Sequence, residues 1–291
     1  MLDIRKTSKE DEKSYLENKL GKLRIFFTMI FEDMTKEEQS LLEEKLILTY
    51  QQKGITFEDN SLYLSSGTFK EKEEMPRFSD LYEQLKKDKE TKRLALLLKP
   101  YVSGSMKYLN QYTNADLNNP VVVSDVYEIE EKDLPIVLYI LTEFFWDKIK
   151  ENRGEKKILY LDEAWRLLNQ NKNTAEFVFK VFKTIRKYGG AATVITQDIG
   201  DFFALDDGKY GKAILNNSNM KCLFQLEENE LKVIKGVIDL SEQEQKMIST
   251  LKRGECVFHA GREQVLLDVE ASPQEHEFIT TDRKDISKMG E

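Results

Sequence analysis

The chain has only two cysteines and two histidines in 291 residues, which excludes a disulfide framework and leaves no zinc-ligand spacing. Cys222 and Cys256 stand in apolar, strand-like runs, Lys221-Cys-Leu-Phe-Gln-Leu226 and Glu255-Cys-Val-Phe-His259. Both are expected to be small buried hydrophobes with reduced thiols. No apolar run is long enough to span a bilayer. The longest, Leu134 to Trp146, is interrupted by Glu143 and bounded by Asp133 and Asp147, and reads as a buried helix. The opening Met-Leu-Asp-Ile-Arg-Lys has no apolar segment after a basic start, so no secretory signal is read and a cytosolic compartment is expected. Positive charge is not in excess: 44 Lys and Arg against 52 Asp and Glu give a net charge of −8. That balance argues against a wholly basic nucleic-acid binder, although a local basic groove in an assembled ring would be compatible with it.

What is present changes character along the chain. The first third reads as helices on charged surfaces. Ser8 with Asp11 resembles a capping box ahead of Tyr15, Leu16, Leu20, Leu23, Phe27 and Ile30, and Thr35 with Glu38 starts a second helix that ends before Gly54. Ser79 is expected to cap a further helix, and Leu94 to Leu98 another that runs to Pro100. From residue 120 onward, short β-branched runs alternate with helical patterns, as in parallel α/β units. Val121 to Val126 predicts a strand, Asp133 caps a helix to Lys150, and a strand follows at Ile158 to Leu161. Asn173 with Glu176 predicts a cap for the next helix, ended by Gly189-Gly190 before a strand at Ala191 to Thr196. Further strands are expected at Lys221 to Leu226 and Glu255 to Ala260. Gly261-Arg262 then turns the chain into an antiparallel partner at Gln264 to Val269. Ser241 with Glu244 and Ser272-Pro273 with Glu275 mark two more helix starts.

Three motifs carry chemistry. Ile158-Leu-Tyr-Leu-Asp-Glu163 reads as a Walker B strand, in which Asp162 would hold Mg²⁺ through water and Glu163 would polarise an attacking water. The same string also suits a core strand followed by a helix start. Thr196-Gln197 ends the next strand, where a neutral amide suits a phosphate sensor as well as an ordinary surface position. Thr184-Ile-Arg-Lys-Tyr-Gly-Gly190 closes a helix with cations. The helix dipole favours this by roughly 0.3 to 1 kcal/mol each, and Arg186 there is also a candidate arginine finger on its own or an adjacent subunit. Arg262 is a second finger candidate, on a turn where a solvated arginine is common. A Gly-x-x-x-x-Gly-Lys-Ser/Thr sequence is absent: Gly208-Lys-Tyr-Gly-Lys212 has the wrong spacing, and Gly104-Ser-Met-Lys107 has one glycine. The backbone cradle for β- and γ-phosphates is therefore missing from these residues.

Taken in order, Leu109-Asn-Gln-Tyr-Thr-Asn114, Phe145-Trp146, Leu159-Tyr-Leu-Asp-Glu-Ala-Trp165, Arg186-Lys-Tyr-Gly-Gly190, Thr196-Gln-Asp-Ile-Gly-Asp-Phe202, Ile214-Leu-Asn-Asn-Ser218 and Gly254-Glu255 resemble the VirB-four class of conjugation ATPases in the HerA/FtsK superfamily. The resemblance implies an α/β fold: a RecA-like P-loop NTPase core, mainly parallel and incomplete at its N-terminal side, with an all-α insertion subdomain. It places the insertion at 1–119, the C-terminal part of the core at 120–282 and a loose tail at 283–291. Met1-Leu-Asp-Ile4 resembles the strand exit that follows the P-loop in such proteins. The implied cofactors are ATP and Mg²⁺ in the complete protein. The implied partners are further copies in a hexameric ring, type IV secretion channel components and DNA, at the inner face of the cell membrane. A catalytically inert docking module is the alternative reading.

Overall fold

The computed structural model describes residues 1–5, 13–31, 33–114, 119–151, 153–163, 166, 172–282, 285 and 287. Ser8, Asp11, Ala164, Trp165 and most of 283–291 lie outside the described residues. The chain divides into two units, Met1–Thr196 and Gln197–Glu291.

The first unit begins with α1 (Tyr15–Ile30) and α2 (Lys36–Gln52). Ser14, not the expected Ser8, caps α1: its hydroxyl accepts the Glu17 N–H while the Glu17 carboxylate accepts the Ser14 N–H. Thr35 and Glu38 form the same reciprocal box on α2 as the sequence predicts. Next come α3 (Phe78–Leu85) and α4 (Lys92–Ser103). Ser79 falls inside α3, where the N–H of Arg77 donates to the Asp80 carboxylate at 2.7 Å. The helices enclose Phe26, Phe27, Phe31 and Phe78, each at most 1% exposed. Phe26 stacks on Phe78 at 5.7 Å and meets Phe27 edge-on at 5.2 Å, a geometry that adds about 0.5 to 1.5 kcal/mol per pair beyond burial.

Helix α5 (Leu134–Glu151) starts directly after Asp133, whose carbonyl accepts from Ile136 and Val137. It joins the helical part to a two-stranded parallel sheet of β1 (Lys157–Leu161) and β2 (Gly190–Val194), connected through α6 (Lys172–Thr184). Asn173 is within α6 and not its cap, since the helix begins at Lys172. Trp146, Ile149, Leu159, Phe177, Val181 and Ile185 pack together on one face of the pair. Ile158 and Tyr160 on the other face of β1 are 60% and 62% exposed, so β1 is half-buried.

The predicted strand at Val121 to Val126 does not form: the run has no regular secondary structure and is mostly exposed, with Val123 84% accessible. A strand exists only through a ladder partner, and among the described residues none pairs with this run.

The second unit carries α7 (Ile199–Phe202), α8 (Lys209–Asn217), β3 (Met220–Leu223), α9 (Glu228–Lys235), α10 (Glu242–Thr250), β4 (Glu255–Ala260), β5 (Glu263–Asp268) and α11 (Pro273–Ile279). Its strands form one antiparallel sheet in the order β3-β4-β5, and the β4–β5 hairpin turns at Gly261-Arg262 as expected, with Gly261 at φ 65°. Ser241–Glu244 and Ser272–Glu275 cap α10 and α11. Cys256 is buried, which pushes its thiol pKa up, whereas Cys222 is exposed. The alternation of β3 turns Leu223 to the core and Cys222 outward. Among the described residues no helix is long and apolar enough to cross a membrane.

Candidate functional site

Asp162 and Glu163 lie where a parallel sheet presents chemistry, at the carboxyl end of a strand. Register pairs Lys157 with Gly190 and Leu161 with Val194, and the Leu161 carbonyl accepts the N–H of Ile195 at 2.9 Å to close the ladder. The chain then leaves the sheet abruptly. Asp162 is exposed, and its Oδ1 accepts the backbone N–H of Glu163 at 3.0 Å. Glu163 takes φ 51°, a left-handed conformation that is uncommon for a glutamate. Its carbonyl accepts the N–H of Arg166 at 3.0 Å, so the two carboxylates sit on a tight turn.

The other candidates stand on different elements. Arg186 is exposed in the single 3-10 turn Ile185–Tyr188 that runs from α6 into β2. Because β1 and β2 are parallel, this turn lies at the amino edge of the pair and Asp162 at the carboxyl edge. The five paired residues between them span roughly 16 Å at about 3.3 Å each. Arg186 and Glu163 are therefore not brought together within one copy. Gln197 is exposed and opens the second unit, two residues after Ile195. Arg262 is exposed on the β4–β5 turn of that same unit.

The residues at the β1 tip fit a hard divalent cation held through water. Asp162 is an exposed carboxylate at a strand end, and among the described residues no group of three His, Cys, Asp or Glu converges to enclose an ion directly. Mg²⁺ characteristically keeps several waters and takes one or two carboxylates plus phosphate oxygens. The phosphate cradle has no counterpart in the sequence.

Two features escaped the sequence reading. Arg153, which belongs to none of the motifs above, lays its guanidinium over the Tyr188 ring at 4.9 Å, and Tyr188 meets Trp146 edge-on at 5.3 Å. Lys22 of α1 pairs with both Glu143, at 2.6 Å, and Asp147 on α5. Lys22 stands more than 100 positions before the two acids, which are four residues apart on α5, so no local pattern joins it to them. Lys22 and Glu143 line a cavity of about 410 Å³ that also touches Trp146, Glu176 and Lys180.

Comparisons with known proteins bear on the family and the fold. The TraG P-loop domain family matches residues 26–290. VirB4 of Thermoanaerobacter pseudethanolicus has a similar structure, with a TM-score of 0.82 and 30% identity over 94% of this chain and 74% of that one. Protein TraC of Escherichia coli (strain K12) is 28% identical over 146 residues, covering 47% of this chain and 16% of TraC. The fold is a RecA-like core with a helical insertion. The chain belongs to the TraG P-loop domain family, within the VirB4- and TraC-like class of conjugation ATPases.

Proposed function

We propose that this chain is the motor segment of a type IV secretion ATPase, coupling ATP hydrolysis to pilus biogenesis or to DNA or protein transfer in a hexameric ring. The observation that carries the reading is the pair Asp162–Glu163 on a tight turn at the carboxyl edge of a parallel β1–β2 ladder. Asp162 would hold Mg²⁺ through water, Glu163 would take a proton from the attacking water, and Gln197 would hydrogen-bond the γ-phosphate. Bound Mg²⁺ neutralises charge on the transferred phosphoryl group. Arg186 acts on the nucleotide of an adjacent subunit, because its own Glu163 lies at the other end of the strands, and Arg262 is the alternative finger. Residues 1–119 serve as the insertion subdomain, 120–282 as core and 283–291 as tail. The assembly works at the cytoplasmic face of the membrane with secretion channel components and DNA.

The test is complementation in rings of polypeptides that carry both this segment and a P-loop. Rings of Glu163→Gln alone or Arg186→Gln alone hydrolyse no ATP. Mixed rings regain activity, because one interface combines an intact Glu163 with an intact neighbouring Arg186. Mixed rings that stay as inactive as the parents count against the assignment.

The missing Gly-x-x-x-x-Gly-Lys-Ser/Thr sequence favours a second reading for the chain on its own: a catalytically inert module that docks on ATPase subunits or channel components. It predicts no saturable heat on titration of Mg-ATP into the isolated chain. Tight binding there would rule it out.

A further inference from the structure

We infer that Arg153 is a second phosphate-contacting residue, working beside Arg186 on a basic edge that receives the triphosphate of a nucleotide presented by a neighbouring subunit. This rests on the reading of Arg186 given above.

Two turns build the edge. The turn before β1 carries Arg153 and Lys156, and the turn before β2 carries Arg186 and Lys187; all four are exposed. Parallel register sets these turns side by side, since Lys157 pairs with Gly190. Close backbone approach then fixes them: a Cβ on Gly189 would lie 2.7 Å from the Arg153 carbonyl oxygen, so the left-handed residue at φ 72° carries no side chain. None of the four cations has an ion-pair partner among the described residues. Nearby Glu155 instead faces Lys157 at 3.9 Å. In a chain of net charge −8, such a local excess is costly by self-repulsion and calls for a polyanion.

The arrangement favours a compact polyphosphate. Arg153 does not trail into solvent: its guanidinium lies over Tyr188 at 4.9 Å, and Tyr188 is held edge-on against Trp146, which is 3% exposed. A planar guanidinium held on a ring keeps its N–H fork oriented, and that fork matches a phosphate in a way a lysine ammonium does not. Arg186, two residues before Tyr188, supplies a second fork from the same turn.

The test uses the intact chain and inorganic triphosphate, titrated by calorimetry at fixed ionic strength. Arg153→Gln and Arg186→Gln should each weaken binding about five-fold, the upper range for an exposed charge pair. Arg153→Lys should weaken it nearly as much, because charge without a stacked plane does not suffice. Lys92→Gln, at an exposed position on α4, should leave it unchanged. Arg153→Lys equal to the parent overturns the inference, as does an Arg153→Gln effect no larger than that of Lys92→Gln or an absence of triphosphate binding by the parent. A single-stranded oligonucleotide that binds this edge more tightly per phosphate than triphosphate also overturns it, in favour of nucleic acid. If Arg153→Gln weakens binding and Arg186→Gln does not, the reading of Arg186 fails while that of Arg153 stands. The converse result sinks Arg153 alone.

Discussion

Asp162 holds Glu163 in place through the backbone: the Asp162 Oδ1 accepts the Glu163 N–H at 3.0 Å while Glu163 sits at φ 51°. A left-handed glutamate costs on the order of 1 kcal/mol relative to glycine at the same position. Glu163→Gly should therefore stabilise the fold by up to about 1 kcal/mol, and Glu163→Val should destabilise it by about 1 to 2 kcal/mol, since a β-branched residue suits this region least. Urea unfolding of the two variants checks the opposite signs. A loss of stability in Glu163→Gly would show that the turn is not strained.

Lys22 is a half-buried cation shared by two buried acids. Burial alone would lower its pKa, but Glu143 and Asp147 more than compensate and raise it. Lys150 adds a contact with Asp147 at 3.5 Å. Removing one member of such a cluster leaves uncompensated charge, a loss of about 3 to 5 kcal/mol. Lys22→Met should show this loss by denaturant unfolding. The triple variant Lys22→Met, Glu143→Gln, Asp147→Asn should recover most of it, because all three charges leave together. A single variant within about 0.5 kcal/mol of the parent would mean that the pair is solvated.

Lys19 lies one turn before Lys22 and makes stability depend on pH. Burial, reinforced by repulsion from Lys22, lowers its pKa from 10.5 to about 8, against the opposing pull of Asp147, Asp3 and Glu143. Below about pH 8 it is protonated in both folded and unfolded chains, and the penalty for burying the charge is complete. Between about pH 8 and 10.5 the unfolded chain holds more protons than the folded one, so stability rises with pH. The gain is at most about 3 kcal/mol. Subtracting the Lys19→Met profile from that of the parent isolates this rise from other titrations. Parallel profiles would refute it.

Local chemistry was readable in advance where it is truly local. Thr35, Ser241 and Ser272 each cap a helix with a glutamate three residues on, and Gly189 ends its turn in the left-handed region. The strand–helix–strand order around Asp162 likewise implies a parallel pair, which the register bears out. Some cap positions were missed by a few residues, as with Ser79 inside α3 and Asn173 inside α6, and the other failures depend on distant partners. Val121 to Val126 has β-branched residues but no neighbouring strand among the described residues. Cys222 sits in an apolar run, yet strand alternation turns it outward. Of the candidate site, the position of Asp162 and Glu163 at the end of a strand was legible. The separation of Arg186 from Glu163 required the register, because sequence spacing does not say which end of a strand a turn occupies.

Gly189 and Gly67 separate backbone strain from crowding. Both have positive φ, 72° and 79°, so an alanine at either position pays about 1 to 2 kcal/mol for the left-handed conformation. A Cβ at Gly67 meets nothing within 4 Å, whereas at Gly189 it meets the Arg153 carbonyl at 2.7 Å and the Glu155 carbonyl at 3.3 Å. Backbone atoms cannot swing aside like a side-chain tip, so Gly189→Ala should cost a further 1 to 3 kcal/mol or so, as overpacking does. The turns before β1 and β2 must then part, and amide exchange at Lys157 and Gly190 should quicken in Gly189→Ala but not in Gly67→Ala. Equal losses for the two variants would mean that the turns are not in close contact.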